Sequence, residues 1–95
     1  MSTHAPDALS ILRARIEQVD QELVALLARR QELASGIARA KHAAGLPVVD
    51  LPREAAVVRR AAEQARAAGI DEETVRHIFW CLIDLARRRQ LDEPS

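Results

Sequence analysis

Aromatic side chains are nearly missing from this 95-residue sequence: there is no tyrosine, and Phe79 and Trp80 stand alone. Platforms on which nucleic-acid bases stack are therefore missing too. Cysteine occurs once, at Cys81, which excludes an intrachain disulfide and leaves a metal cluster without companion ligands. Within a helical pattern, that cysteine reads as a small apolar filler. Charge of one sign is also lacking, since fourteen basic residues balance fourteen acidic ones. No net field gathers nucleic acid or an anionic membrane surface. No apolar run approaches the ~20 residues of a membrane span. Residues 1–7 carry no basic region leading into an apolar one, as a secretory signal would. His4, His42 and His77 fall at no spacing that resembles a metal site or a catalytic triad. The expectation is a cytoplasmic chain without metal or cofactor, bound to neither nucleic acid nor membrane.

Chain breakers are scarce as well, with three glycines and four prolines. Between Ala8 and about Ala44 there is no proline, and Gly36 is the one glycine. Apolar residues recur there at Leu9, Leu12, Ile16, Val19, Leu23, Leu26, Leu33, Ile37, Ala40 and Ala44. Alternating steps of three and four predict one long amphipathic helix with a coiled-coil-like seam. At ~37 residues such a helix is about 55 Å long, against a radius of gyration of roughly 12–13 Å for a globule of this size. It needs a further apolar surface, and a second copy of the chain is the simplest source. A homodimer is expected. One position breaks the seam: Arg30 stands where an apolar residue is due. A cation there is costly unless an anion meets it.

Gly45 and Pro47 end the pattern, with Gly45 a natural residue just past a helix C-terminus. Asp50 can cap a second helix, with Pro52 in its first turn, running to about Ala68. Gly69 stops it. Asp71 opens a third helix with Glu72 and Glu73 in the first turn, where negative charge is favoured. Val75, Ile78, Phe79, Leu82, Ile83 and Ala86 form its inner face, and Gln90 continues that face. The expected fold is all-α, with one long and two shorter helices in an intertwined helical homodimer. Residues 8–91 would form the domain, between a disordered tail at 1–7, with Asp7 or Ser10 as the first cap, and a tail at 92–95.

Three cations on the first helix share the seam: Arg13, Arg30 and Lys41. Arg30 and Lys41 lie three turns apart, roughly 16 Å along the axis, so two long side chains can converge on a small dianion. Arg13 is four heptads from Lys41, ~42 Å away, and serves such a ligand only across an antiparallel dimer. The two-fold would then cross near residue 24, among Leu23, Leu26 and Leu27, and generate two identical sites. Solvated cations on a purely structural helical dimer are the plainer alternative. Arg53 adds a guanidinium. Glu54 shares a face with Val58 and Ala61 and points inward, or else merely favours the helix dipole.

These residues carry a family resemblance. Leu12-Arg13, Ile16, Val19-Asp20, then Leu26-Leu27-Ala28-Arg29-Arg30, Ala40-Lys41, Pro47-Val48-Val49-Asp50, Arg53-Glu54 and Gln90 resemble the all-helical chorismate mutases from Leu9 to Gln90. The resemblance implies an intertwined dimer that rearranges chorismate to prephenate in aromatic amino-acid biosynthesis, with no cofactor, metal or covalent intermediate. It implies that Arg13 from the partner chain and Arg30 grip two carboxylates. Lys41 and Gln90 would donate to the ether oxygen. Glu54, with the backbone near Asp50, would accept from the ring hydroxyl, and Arg53 would add positive potential. Where the family often has a hydroxyl residue one turn before the glutamine, this chain has Ala86, which bears on affinity for the substrate. The following Arg87-Arg88-Arg89 either compensates for it or, on the plainer reading, forms a solvated cluster at a helix C-terminus. Isochorismate-pyruvate lyases share the frame but lack an acid at the position of Glu54. Aminodeoxychorismate mutases differ in what meets the ring substituent. A non-catalytic dimerisation module would have an apolar residue at position 30. The sequence names no activating partner enzyme.

Overall fold

A computed structural model describes residues 7–92; of the tails expected at 1–7 and 92–95, residues 1–6 and 93–95 lie outside the described residues. The chain folds as three helices, α1 (Ala8–Ala43), α2 (Leu51–Ala67) and α3 (Glu72–Asp92), with no strand among the described residues. The all-α expectation holds.

The three helix starts and the ends of α1 and α2 have local causes. Of the two candidate caps for α1, Asp7 is used: its carboxylate accepts from the Ser10 N–H at 2.7 Å, satisfying one of the free donors of the first turn. Asp50 does the same for α2, accepting from the Arg53 N–H at 3.1 Å, with Pro52 where a missing donor is harmless. Asp71 accepts from both the N–H and the hydroxyl of Thr74, at 2.9 and 2.6 Å. Two helices end alike. Leu46 N–H donates to Lys41 C=O and Gly45 N–H to His42 C=O; Ile70 N–H donates to Ala65 C=O and Gly69 N–H to Arg66 C=O. This paired closure needs a left-handed residue, and Gly45 and Gly69 supply it with φ of 69° and 72°.

The described chain divides into two compact units, one ending at Arg30 and one beginning at Gln31. The first is the N-terminal part of α1, and its apolar seam is uncovered. Leu9, Ile11, Leu12, Ile16, Val19, Leu23, Val24 and Leu26 are between 44% and 64% exposed. The second unit holds the core. Ala34 and Ala38 of α1, Val58, Ala61, Ala62 and Ala65 of α2, and Ile83 of α3 are all buried. Alanine at most of these positions lets helix backbones approach closely, and α2 packs along α3. The buried Ser35 hydroxyl is satisfied by Arg89, as a buried polar group requires.

Two expectations about α3 need correction. Ile78 is 47% exposed rather than part of the inner face, where Val75, Phe79, Leu82 and Ala86 flank the buried Ile83. Cys81 is an exposed free thiol, its sulfur 4.0 Å from His77 Nε2. With α2 covering the stripe through Ile83, Ile78 and Cys81 stay at the surface, since at about 100° per residue they point to the opposite side of the helix.

Candidate active site

Within the second unit, three contacts involve expected site residues, and one of them, between Asp50 and Arg53, joins two such residues directly. Lys41, in the last turn of α1, is half-buried, and its ammonium donates to the Val48 carbonyl at 2.6 Å. That bond ties the helix end to the following loop and limits the rotamers of a flexible side chain. Two residues past Val48 stands Asp50, whose exposed carboxylate is occupied with capping α2. The turn it caps presents Arg53 to solvent and turns Glu54 inward.

Glu54 is where the structure is most informative. Its side chain is 15% exposed and pairs with Arg87 of α3: Nη2 donates to Oε1 at 2.5 Å and Nε to Oε2 at 3.3 Å. Both carboxylate oxygens are met by one planar guanidinium, the geometry that makes arginine–carboxylate pairs directional. Glu54 therefore sits in a first helical turn and also faces inward; the two readings of it were not exclusive. Ala86 precedes Arg87 and is half-buried, and Gln90, one turn further on, is half-buried too.

The reading of Arg87-Arg88-Arg89 as a solvated cluster fails for Arg87, which is half-buried, while Arg88 and Arg89 are exposed. Arg87 holds Glu54, Arg88 pairs with Asp84 at 2.9 Å, and Arg89 Nε donates to Ser35 Oγ at 2.6 Å. Adjacent helical residues diverge by about 100°, so three consecutive arginines reach three different partners. Gln31 Nε2 also donates to the Leu85 carbonyl at 3.4 Å, and with Arg89–Ser35 it fastens the start of the second unit to α3. Arg87 was the residue that sequence reasoning missed. Its signal was the inward-facing Glu54, a buried anion that required a cation. In the first unit, Arg13 is exposed and Arg30 is half-buried.

The second unit thus presents a tethered lysine, a capped Asp-x-x-Arg-Glu turn and a half-buried glutamine. Among the described residues no group of His, Cys, Asp or Glu could hold a metal ion. Residues 12–91 match the chorismate mutase type II family, and the chain belongs to that family. It is 36% identical over 73 residues to the T-protein of Haemophilus influenzae, covering 77% of this chain and 19% of that protein. To the bifunctional chorismate mutase/prephenate dehydratase of Escherichia coli K12 it is 34% identical over 76 residues, 80% of this chain and 20% of that protein. The chain thus spans about a fifth of the length of these two relatives. The chorismate mutase of Methanocaldococcus jannaschii is similar in extent as well: 30% identity over 78 residues, 82% of this chain and 79% of that one.

Proposed function

We propose that this domain is a chorismate mutase, an isomerase that converts chorismate to prephenate in aromatic amino-acid biosynthesis. The observation that carries the reading is the family match from residue 12 to residue 91, which contains every residue assigned a role below. The reaction is an intramolecular rearrangement. It needs no nucleophile and no proton transfer, only a substrate held in its reactive conformer and donors aimed at the oxygen on which charge develops. Arg13 and Arg30 bind the two carboxylates, for which a planar guanidinium is suited. Lys41 and Gln90 donate to the ether oxygen. The Val48 carbonyl keeps the ammonium of Lys41 in one orientation before substrate arrives, which lowers the entropy lost on binding. Glu54 and the backbone at Asp50 accept from the ring hydroxyl, and Arg53 adds positive potential. Ala86 offers no hydroxyl to a carboxylate, so affinity rests more heavily on the arginines.

The protein acts as a homodimer in which Arg13 of each site comes from the second chain. Supporting this, the apolar stripe along the first unit is uncovered over its whole length, more than a stable helix leaves in water by itself.

The test is product analysis after separate incubation with chorismate and isochorismate. Prephenate from chorismate is expected, with a loss of ~10²–10³ in rate in Lys41→Ala, the usual effect of removing one preorganised donor. Salicylate and pyruvate from isochorismate, with chorismate unchanged, would move the assignment to the lyase. Turnover of neither would leave the dimerisation module or the aminodeoxy substrate.

A further inference from the structure

The bidentate contact between α3 and Glu54 brings a permanent positive charge to the one acid of the site that is turned inward. Resting on the reading that Glu54 meets the ring substituent of the substrate, we propose that Arg87 is a positioning residue that makes the site selective for a neutral hydroxyl over an ammonium at that ring position.

The argument starts from charge. An isolated carboxylate attracts a hydroxyl donor modestly and a cation strongly. Glu54 is not isolated: the guanidinium engages both of its oxygens, and a guanidinium does not lose its proton in a protein. The pair carries no net charge, so a second cation gains little from the carboxylate and meets the guanidinium behind it. A hydroxyl loses much less. A carboxylate has about four lone-pair directions, and two N–H bonds leave acceptor capacity for one more neutral donor. Glu54 is largely shielded, at 15% exposed, and Arg87 is partly so, at 36%. Solvent therefore weakens this discrimination without removing it. Arg87 also fixes the rotamer of Glu54 from a different helix, so the acceptor is aimed before substrate binds. Sequence position hides this role, because Arg87 lies within a run of three arginines and its neighbours go elsewhere.

The experiment compares kcat and KM on chorismate and on 4-amino-4-deoxychorismate for the wild-type protein, Arg87→Gln and Arg87→Lys, with folding checked by circular dichroism. In Arg87→Gln the preference for chorismate should fall by about tenfold, equivalent to ~1.4 kcal/mol. KM for chorismate should rise as Glu54 loses its aim. Arg87→Lys keeps the charge without the fork and should keep the preference within about threefold, while its chorismate kcat/KM still drops. A merely structural role would lower both substrates together. An unchanged ratio in folded Arg87→Gln, or a collapsed ratio in Arg87→Lys, overturns the proposal while leaving the mutase assignment standing. A wild-type protein that turns over neither compound overturns both.

Discussion

Replacing Leu23 by glutamate should convert a dimer into a monomer and abolish activity, although Leu23 touches no substrate in the proposed site. Leu23 is 53% exposed in the single chain, and Leu9, Leu12, Ile16, Val19 and Leu26 on the same stripe are between 51% and 60% exposed. Burying such a side chain completely is worth ~1.5–3 kcal/mol, so about 1 kcal/mol remains to be gained at each. Six positions on each of two chains offer roughly 12 kcal/mol, comparable to the ~4–15 kcal/mol that association costs in lost freedom before other contacts contribute. A glutamate near the two-fold axis forfeits about 1 kcal/mol per chain. It also brings two carboxylates together in an apolar seam, at several kcal/mol for each unpaired ion. A total of ~6 kcal/mol or more would raise the dissociation constant at least ~10⁴-fold. Sedimentation velocity at micromolar concentration should show twice the 10.5 kDa chain mass for the wild type and the chain mass for Leu23→Glu. Activity should fall with the dimer, because each site would lose its Arg13. A variant that sediments with the wild type would refute the pairing along this stripe.

Three further outcomes are expected. Arg13→Ala and Lys41→Ala chains, each nearly inactive, should regain activity when mixed and allowed to exchange, since half of the sites in a mixed dimer would be intact; activity no higher than in the parents would show that sites are not shared. Gly69→Ala should lower Tm by the equivalent of about 1 kcal/mol, because φ is 72° and the open space around it offers no compensating contact; an unchanged melting curve would mean that the closure of α2 is not limiting. In acid, Asp7 is held below its ordinary 3.8 by the Ser10 N–H, Asp71 below 3.8 by the Thr74 hydroxyl and N–H, and Glu72 below 4.5 by Arg66. Groups with lowered folded-state values contribute stability that is complete above the unfolded value and lost as pH falls through the folded one, so Tm should decline from about pH 4.5 downward, and less steeply in Asp71→Asn; identical slopes for the two proteins would remove Asp71 from the account.

The helices and their ends follow from the amino-acid sequence alone. Caps and closures act between residues no more than five apart: Asp7 with Ser10, Asp50 with Arg53, Asp71 with Thr74, Leu46 with Lys41, Ile70 with Ala65. Their geometry is set once the backbone turns, whatever the rest of the chain does. Observed ends fell within one residue of those expected, with α1 closing at Ala43 and α2 at Ala67. Family motifs could be read for the same reason, as short runs at regular intervals. What needed the tertiary structure is which way each helix is turned about its own axis. A helical pattern identifies an apolar stripe but leaves its width uncertain by one residue on either side. That uncertainty decided that Ile78 and Cys81 lie outside while Ile83 lies inside. It also decided that, of three adjacent arginines, Arg87 and not Arg88 meets Glu54, thirty-three residues earlier. Pairings at such separation depend on how α2 and α3 pack, and close packing between them is a property of the folded chain rather than of any local segment.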